Sequence, residues 1–287
     1  MESMKTGAKG ISAKNLLQIP SREVFIQAMD ENLDQLLLSL VTIHGVELQE
    51  EKGLKWMISD IPLFFVNSIW RSRLDETTTE SAIQAAIHRA KEHGVDITWW
   101  IGPSDTPANL AAMVEKSGFL GEPALGMACD LATIDPNPPG PQNLVIQLVG
   151  KENVNSWARV FTEGFSLPPE SEPYSCEWMN PVGKNGPHLV QSYLAWLDGA
   201  PVAVSSVCYA GGVAGIYNVA TLPRARRQGI GTAITHAAML GARAVGYRFA
   251  ILEAEAMAVS VYRRLGFEEF CQMKPYVWLR QSETKAT

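Results

Sequence analysis

The sequence contains little that could build a disulfide framework or a metal centre. Its four cysteines are scattered, at Cys129, Cys176, Cys208 and Cys271, and no C-x-x-C pair occurs. This spacing predicts reduced, mostly buried thiols rather than disulfide bonds. The five histidines show no metal-ligand spacing either. The sequence therefore predicts a protein that binds no metal.

Long apolar runs and a basic surface are lacking as well. No run approaches the roughly 18 apolar residues that a membrane helix needs. The first 20 residues also lack the hydrophobic segment of a signal peptide. We therefore expect a cytoplasmic protein that does not associate with membranes. The net charge of −6 argues against nucleic-acid binding, because nucleic-acid-binding proteins present a broad basic surface.

The remaining composition is that of a globular protein, and its length favours two domains. Hydrophobic residues make up 46% of the 287 residues and charged residues 19%, which is enough apolar material for a packed core. Four prolines lie between residues 136 and 142, where neither helix nor sheet can continue. The sequence predicts one domain over 1–135, a proline-rich linker over 136–142 and a second domain over 143–287.

The most informative stretch runs from residue 216 to 232. Its first part is rich in β-branched and aromatic residues and predicts a strand that ends at Pro223. Residues 230–245 are rich in Ala, Leu, Met and Ile and predict a helix. The loop between them contains three arginines and two glycines. Free N–H groups in the first helical turn, the helix dipole and glycines without Cβ together favour a bound anion, and the arrangement predicts a pyrophosphate site.

The spacing of this loop identifies the kind of pyrophosphate site. It is Arg226-x-x-Gly229-x-Gly231, which is neither the P-loop nor the dinucleotide pattern G-x-G-x-x-G. This loop resembles that of the GNAT family of acyl-CoA-dependent N-acyltransferases. The strand before it, the later strand 249–252 and the closing element Tyr262-x-x-x-Gly266-Phe267 follow in the order found in that family. The resemblance covers residues 143–280.

The elements of the first half repeat this order, which suggests a tandem GNAT protein. With Gly118-Phe119 set against Gly266-Phe267, Ser81 stands opposite Gly229 and Ile83 opposite Gly231. The first half therefore resembles a degenerate copy without a phosphate site, and an unrelated α/β domain is the alternative. The implied fold class is α/β (α+β), with two GNAT-like domains, each a mixed, mostly antiparallel central sheet flanked by helices.

The resemblance implies acetyl-CoA as the acyl donor and assigns site residues. The strand backbone at Val219, Ala220 and Thr221 is expected to pair with the pantetheine arm, and a backbone N–H there to polarise the thioester carbonyl. Tyr262 corresponds to the acid that protonates the leaving thiolate; a packed core aromatic is the other interpretation. Ser260 is a further contact candidate. The pyrophosphate is expected at Arg226, Arg227, Gln228, Gly229, Ile230, Gly231 and Thr232.

The acceptor and the general base stay open at the sequence level. Glu253 and the loop acids Glu170, Glu172 and Glu177 are base candidates, each equally interpretable as a surface charge, and a water chain could replace them. The acceptor is expected to be a primary amine of a small molecule or peptide, and the acidic loop hints at a cation. The protein is expected to be a monomer or homodimer. The alternative function is a non-catalytic acyl-CoA-binding or regulatory module.

Overall fold

The computed structural model describes residues 20–51, 53–137, 140–180 and 189–280. Seven α-helices form within these ranges. They are α1 (Arg22–Ser39), α2 (Glu76–His93), α3 (Leu110–Lys116), α4 (Val154–Gly164), α5 (Glu172–Met179), α6 (Ile230–Ala244) and α7 (Val259–Arg264). None of the helices in these ranges is both long and apolar enough to cross a membrane.

The described residues also form twelve β-strands. They are β1 (Glu47–Glu51), β2 (Leu54–Ile58), β3 (Ser68–Trp70), β4 (Ile97–Ile101), β5 (Leu120–Gly121), β6 (Ala124–Asp130), β7 (Leu144–Leu148), β8 (Val190–Leu197), β9 (Ala200–Ala210), β10 (Val213–Thr221), β11 (Phe249–Glu255) and β12 (Glu268–Trp278).

The chain divides into two compact units. The large unit combines Met1–Ser39 with Leu125–Cys271, and the small unit combines Leu40–Ala124 with Gln272–Thr287. Helix α1 thus belongs to the large unit although it lies at the start of the chain. The last strand begins in one unit and ends in the other. The boundaries that the proline-rich segment suggested, at 135 and 143, stay a prediction.

The large unit is built on a mixed sheet with the strand order β6-β11-β10-β9-β8-β7. Strands β7 to β10 are antiparallel neighbours, whereas β10 and β11 run parallel. Helix α6 packs on one face, where Ala214 and Ile216 of β10 join its apolar residues in the core. Helix α1 packs on the other face over Gly215, because successive strand residues point to opposite sides.

The small unit repeats this plan on a smaller scale. Its strands follow the order β1-β2-β3-β4-β12, with β5 also paired to β12. Strands β3 and β4 run parallel, and the other pairs are antiparallel. The core contains Trp99, Phe119 and Tyr276, with Ile83 and Ile87 from α2. Each unit therefore has the mixed, mostly antiparallel sheet with flanking helices that the sequence predicts.

One predicted strand is wrong for a clear physical reason. The apolar run 61–70 predicts a strand, but only Ser68–Trp70 forms one. The side chain of Asn67 folds the preceding residues into a turn instead: its Oδ1 accepts from the backbone N–H of Ser59 at 2.8 Å, and its Nδ2 donates to the carbonyl of Ile61 at 2.9 Å. A buried amide that satisfies local backbone groups outweighs the strand preference of the apolar residues.

The turn between β8 and β9 is Asp198-Gly199, a dipeptide that by itself predicts a type I′ hairpin turn. Asp198 and Gly199 have φ values of +52° and +78°. Two consecutive left-handed residues are typical of a type I′ turn, whose twist matches that of the flanking strands. This hairpin places β9 beside β8. The other edge of β9 pairs with β10, which leads directly into the predicted anion loop.

Candidate active site

Strand β10 is irregular near its end. Its pairing with β9 shifts register between Tyr217 and Ala220, and Asn218 adopts a φ of +55°. A bulge of this kind bends a strand and redirects the backbone groups that follow it. The side chain of Ala220 is buried against α4, where a Cβ on Gly164 would lie 2.8 Å from it. The bulge therefore changes the direction of the backbone just before Val219, one of the predicted cofactor-binding residues.

Strands β10 and β11 stop pairing next to this bulge. Within the described residues their parallel pairing covers Ala214–Ile216 and Ala250–Leu252. Both strands continue further, to Thr221 and to Glu255. Beyond the last pair, their facing backbone N–H and C=O groups are free of each other. The gap can therefore accept a third extended chain that hydrogen-bonds to the strand edge.

The side chains of the loop after β10 differ in their exposure. The Nε of Arg226 donates to the carbonyl of Thr221 at 2.9 Å and ties the loop to the end of the strand. Arg227 has a φ of +66°, and its side chain is exposed, as is that of Gln228. The side chain of Ile230, in contrast, lies in the core. Of these four residues, Ile230 could reach a ligand only through its backbone.

Helix α6 begins with open N–H groups. Gly229 is its N-cap, with a φ of +78° and no side-chain capping hydrogen bond. The backbone carbonyl of Gly229 accepts a hydrogen bond from the N–H of Ala233 at 2.9 Å, which is the first backbone bond of this helix. The N–H groups of Ile230, Gly231 and Thr232 precede it and have no intrahelical partner. Three donors at the positive end of a helix form a site that favours a phosphate group.

The two glycines of the loop leave space for a ligand in different ways. A Cβ added to Gly229 would meet nothing within 4 Å, although its left-handed backbone disfavours other residues. A Cβ added to Gly231 would meet the Oγ1 of Thr221 at 3.4 Å, an ordinary contact. The fold itself therefore does not require glycine at 231. Space for a ligand is the remaining physical reason for it.

Tyr262 lies in α7, with its ring in the core. The ring packs edge-on against Phe267 at a centroid distance of 6.0 Å and belongs to the same cluster as Leu252 and Ala254 of β11. Burial, together with the negative charge of Glu255, raises the pKa of the Tyr262 hydroxyl to about 12. The group thus stays protonated at neutral pH. Ser260, two residues earlier on the same helix, is exposed.

A buried carboxyl group lies on the other face of β11. Glu253 follows Leu252, the last residue paired with β10, so the strand alternation points it away from Tyr262. Its Oε1 is buried without a hydrogen-bond partner among the described residues. Burial, together with the charge of Asp30, raises the pKa of Glu253 from 4.5 to about 7. A carboxyl group with this pKa can exchange protons at neutral pH.

Two further residues act near Glu253, and neither could be identified from the sequence. Tyr217 follows Ile216, the last residue of β10 paired with β11, and its buried hydroxyl also has no partner among the described residues. Burial, followed by the charge of Glu253, raises the pKa of Tyr217 well above 10. Asp30 comes from α1, which the sequence places in the other domain. Only the folded chain brings these two residues to Glu253.

The other predicted base candidates lie elsewhere in the large unit. Glu170 falls in a short 3-10 turn and Glu177 in α5, and both side chains are exposed. Glu172 begins α5 with a carboxylate oxygen 3.8 Å from the Nε of Arg159. These three carboxylates behave as surface charges, whereas the Oε1 of Glu253 is buried. Nowhere in the described ranges do three or more His, Cys, Asp or Glu side chains form a group that could hold a metal ion.

The small unit has the same strand–helix–strand connection but a different helix start. Strand β3 leads through α2 to the parallel strand β4, as β10 leads through α6 to β11. The residues at the start of α2 are Asp75 as N-cap and Glu76 in the first turn. Their negative charges would repel a phosphate. Ser72, in the loop before this helix, accepts a hydrogen bond from the buried indole N–H of Trp99 at 2.9 Å.

The alignment by a constant offset is wrong in this region. It sets Ser81 and Ile83 opposite the two loop glycines, but both residues lie inside α2, which begins at Glu76. Matched by their helix starts, Asp75 corresponds to Gly229 and Glu76 to Ile230. The loop between strand and helix has a different length in the two units, so the constant offset holds only near the Gly-Phe pairs.

Comparison with known proteins agrees with this geometry. The model of the acetyltransferase (GNAT) domain family matches residues 189–269. Among solved structures, a GCN5-related N-acetyltransferase from Kribbella flavida is similar with a TM-score of 0.63 and 20% identity, over 96% of this chain and 98% of that one. A GCN5-related N-acetyltransferase from Sphaerobacter thermophilus gives a TM-score of 0.60 at 16% identity, over 91% and 94% of the two chains.

A third solved structure has the tandem arrangement. It is a tandem GNAT protein from the clavulanic acid biosynthesis pathway, with a TM-score of 0.52 and 14% identity over 91% of this chain and 96% of that one. A search of curated proteins finds no match. The predicted resemblance to tandem GNAT proteins is confirmed by the family model and the shared fold. Residues 189–269 therefore match the acetyltransferase (GNAT) domain family, and the chain shares the fold of solved GNAT structures over most of its length.

Proposed function

We propose that the large unit is an N-acetyltransferase that moves the acetyl group of acetyl-CoA to a primary amine of a small molecule or peptide. The observation that carries this proposal is the separation of β10 from β11 directly before an uncapped helix start. An extended arm with a diphosphate at one end fits both features at once. Acetyl-CoA has this shape, and it is the donor that GNAT enzymes generally use.

The donor site in this proposal is mostly main chain. The backbone of Val219, Ala220 and Thr221 pairs with the pantetheine arm, and an N–H at Val219 or Ala220 polarises the thioester carbonyl. The exposed Ser260 is an additional contact. Acetyl-CoA supplies an activated acyl group and a thiol leaving group. The diphosphate is held by the first turn of α6 and the loop before it, that is, by Arg226, Arg227, Gln228, Gly229, Ile230, Gly231 and Thr232.

Two buried side chains perform the proton transfers. Glu253 takes a proton from the acceptor nitrogen, which then attacks the acetyl carbon while the C–S bond breaks. Tyr262 donates its proton to the leaving sulfur. The two groups lie on opposite faces of the sheet, with Glu253 facing α1 and Tyr262 in the core beneath α6. The acceptor and the donor can therefore approach the gap from different sides.

The Tyr262→Phe variant tests the proton donor. The ring packs against Phe267 and stays apolar, so we expect an unchanged melting temperature and an unchanged affinity for acetyl-CoA. We expect kcat to fall on the order of 100-fold, because a general acid contributes about 10²–10⁴ to a rate. Stopped-flow detection of released coenzyme A, with an amine acceptor present, measures the effect. An unaltered kcat would remove Tyr262 from the mechanism.

Calorimetric titration with acetyl-CoA tests the donor site. We expect one binding site per chain, because the helix start of the small unit contains Asp75 and Glu76. Two sites would show that the small unit also binds the donor. No binding would contradict the proposed function. Binding of one equivalent without acetyl transfer to any amine of a broad panel would favour an acyl-CoA-binding regulatory module instead.

A further inference from the structure

Strand β7 is the outermost strand of the sheet in the large unit. It pairs with β8 on one side, and no other strand in the described part of the chain pairs with it. Proteins commonly protect such an edge with charged residues, proline or a bulge, because its open backbone groups can pair with a further strand. Residues 142–150 contain no charge and no proline, and the register with β8 runs without a shift from Leu144 to Leu148. Strand β7 therefore lacks the protection that edge strands commonly have.

The outermost strand of the small unit has the opposite character. Strand β1 contains Glu47, Glu50 and Glu51 among its five residues, and within the described ranges it pairs with β2 alone. If β1 paired antiparallel with a copy of itself about its central residue, Glu47 would stand opposite Glu51 of the second copy. Like charges directly opposite each other destabilise a strand pair. The edge of β1 therefore resists self-pairing, whereas the edge of β7 does not.

The hydrogen bonds of β7 show which of its backbone groups face outward. Just after the strand, the N–H of Val149 donates to the carbonyl of Ser192 on β8 at 2.8 Å. Alternate residues of an antiparallel pair bond to the neighbouring strand, so the residues two and four positions before Val149 also bond to β8. The residues between them turn their N–H and C=O groups away from β8. These outward-facing residues are Leu144, Ile146 and Leu148.

Two of the six outward-facing groups already have partners within the chain. The N–H of Leu144 donates to the carbonyl of Pro141 at 3.2 Å, and the carbonyl of Leu148 accepts from the Nδ2 of Asn153 at 3.0 Å. The other four groups have no hydrogen-bond partner among the described residues. They are the C=O of Leu144, the N–H and C=O of Ile146, and the N–H of Leu148. This set of two donors and two acceptors is symmetric about Ile146.

We propose that β7 binds a second copy of this chain, and that the two β7 strands pair antiparallel about a two-fold axis at Ile146. In this register the two Ile146 residues exchange a pair of hydrogen bonds. On each side of the axis, the N–H of Leu148 donates to the C=O of Leu144 of the other copy. These bonds use all the remaining outward-facing groups of both strands. The pairing is independent of the proposed acetyltransferase function and goes beyond it.

A second copy fits this edge better than an unrelated extended peptide does. In the two-fold register the N–H of Leu144 and the C=O of Leu148 stand opposite each other across the axis. Both are already bonded within their own chains, to Pro141 and Asn153, so neither needs the other. An unrelated strand would place its own C=O against the N–H of Leu144, which is not free to donate. That carbonyl would lose its hydrogen bond to water without gaining another.

The side chains of β7 agree with the same two-fold axis. Residues directly opposite each other in a strand pair lie on the same face. Leu144 therefore meets Leu148, and Ile146 meets its own copy. These three side chains pack against the core of the large unit but are only partly buried there, so the pairing covers more of their apolar surface. On the other face Val145, which is 52% exposed, meets the uncharged Gln147.

Charged pairs across the axis test this interface. Val145→Lys combined with Gln147→Lys places lysines opposite each other at two points, and both positions are exposed in the single chain. Val145→Lys combined with Gln147→Glu keeps the first lysine but places a carboxylate opposite it. Gln49→Lys makes the same change on the exposed edge strand β1 and is the control. Sedimentation velocity from low micromolar to submillimolar concentrations measures the oligomeric state, and thermal unfolding checks the fold.

We expect the intact chain to sediment as a dimer with twice the chain mass of 31.4 kDa, and to dissociate on dilution. The paired lysines should raise the Kd of the dimer at least ~10-fold, because like charges directly opposite each other destabilise a strand pair. The lysine–glutamate variant should keep the Kd within about twofold of the intact chain or lower it, because opposite charges stabilise such a pair. Gln49→Lys should leave the Kd unchanged.

Three outcomes would overturn the proposal. They are an intact chain that stays monomeric at the highest concentration, a dimer that the paired lysines leave unchanged, and a lysine–glutamate variant that dissociates as readily as the paired lysines do. Titration of the same samples with acetyl-CoA keeps this test separate from that of the proposed function. Strand β7 lies three strands from β10, so we expect the monomeric variant to bind acetyl-CoA with unchanged affinity.

Discussion

Gly231→Asp should abolish the binding of acetyl-CoA while leaving the free protein folded. The new Cβ would meet only the Oγ1 of Thr221, at 3.4 Å, so the empty chain accepts it. An aspartate in the first turn of α6 also interacts favourably with the helix dipole, which is worth about 0.3–1 kcal/mol. The same carboxylate would repel a diphosphate by about 1–4 kcal/mol and would fill its space. We therefore expect affinity to fall at least ~100-fold while the melting temperature stays equal or rises.

Calorimetry and thermal unfolding of the same samples measure the two effects. Gly231→Ala separates shape from charge, and we expect it to weaken binding less than the aspartate does. Ser81→Asp is the matched charge control, because it adds the same charge to an exposed position of α2. It should leave the affinity unchanged. Normal acetyl-CoA affinity in Gly231→Asp would show that the first turn of α6 does not bind the diphosphate.

The strand, loop and helix start of the proposed donor site could be predicted because their determinants are contiguous. Strand β10, the loop and the start of α6 all lie between residues 213 and 244. β-branched residues, Pro223, the two glycines and the alanine-rich run each act through local backbone preferences. Local preferences are what a single sequence records best. The strand that ends before Pro223 and the helix beginning at residue 230 accordingly form as predicted.

The surroundings of Glu253 could not be predicted because they depend on contacts between distant segments. The apolar pattern of α1 predicts a helix, but it does not say which sheet the helix covers. That choice is made by Asn32, whose amide bonds to carbonyls of β9 and β10, and by Gly215, which leaves room for it. The same contacts hold α1 on this face of the sheet, where the charge of Asp30 contributes to the raised pKa of Glu253. Without them Glu253 is one of four equivalent acids in the sequence.

The sequence also could not show where β10 and β11 separate. Both strands look continuous in residue type, to Thr221 and beyond Leu252. The separation depends on the bulge at Asn218, a residue whose left-handed φ of +55° is tolerated by asparagine more often than by most residues. The bulge is visible only in the register between β10 and β9. Two strand patterns alone therefore cannot indicate a gap that accepts a ligand.

Glu253→Gln should reduce catalysis and at the same time stabilise the protein above neutral pH. Burial and the charge of Asp30 raise the pKa of Glu253 from 4.5 to about 7. In the unfolded chain this group ionises near 4.5, so the folded state binds the extra proton between these values. Stability from this group is fully present below pH 4.5 and is lost as the pH rises to about 7. Glutamine is neutral throughout and does not undergo this loss.

We expect the variant to gain about 1–3 kcal/mol in the free energy of unfolding at pH 8 and little at pH 4.5. Urea unfolding at both pH values measures the difference. Glu170→Gln is the control, because Glu170 is an exposed acid of the same unit and should change neither value. An equal effect of Glu253→Gln at both pH values would mean that the carboxyl group does not ionise in the folded chain near pH 7.

The same variant should lower kcat on the order of 100-fold or more, because a general base contributes about 10²–10⁴ to a rate. In the intact protein kcat/KM should rise with pH and level off above about 7, since the deprotonated carboxylate is the active form. Tyr217 and Cys271 stay protonated in this range and cannot produce that inflection. Loss of the inflection together with the gain in stability would identify a single group as the cause of both. A carboxyl group that takes no part in catalysis would give the gain in stability on substitution but would leave kcat and the inflection in kcat/KM unchanged.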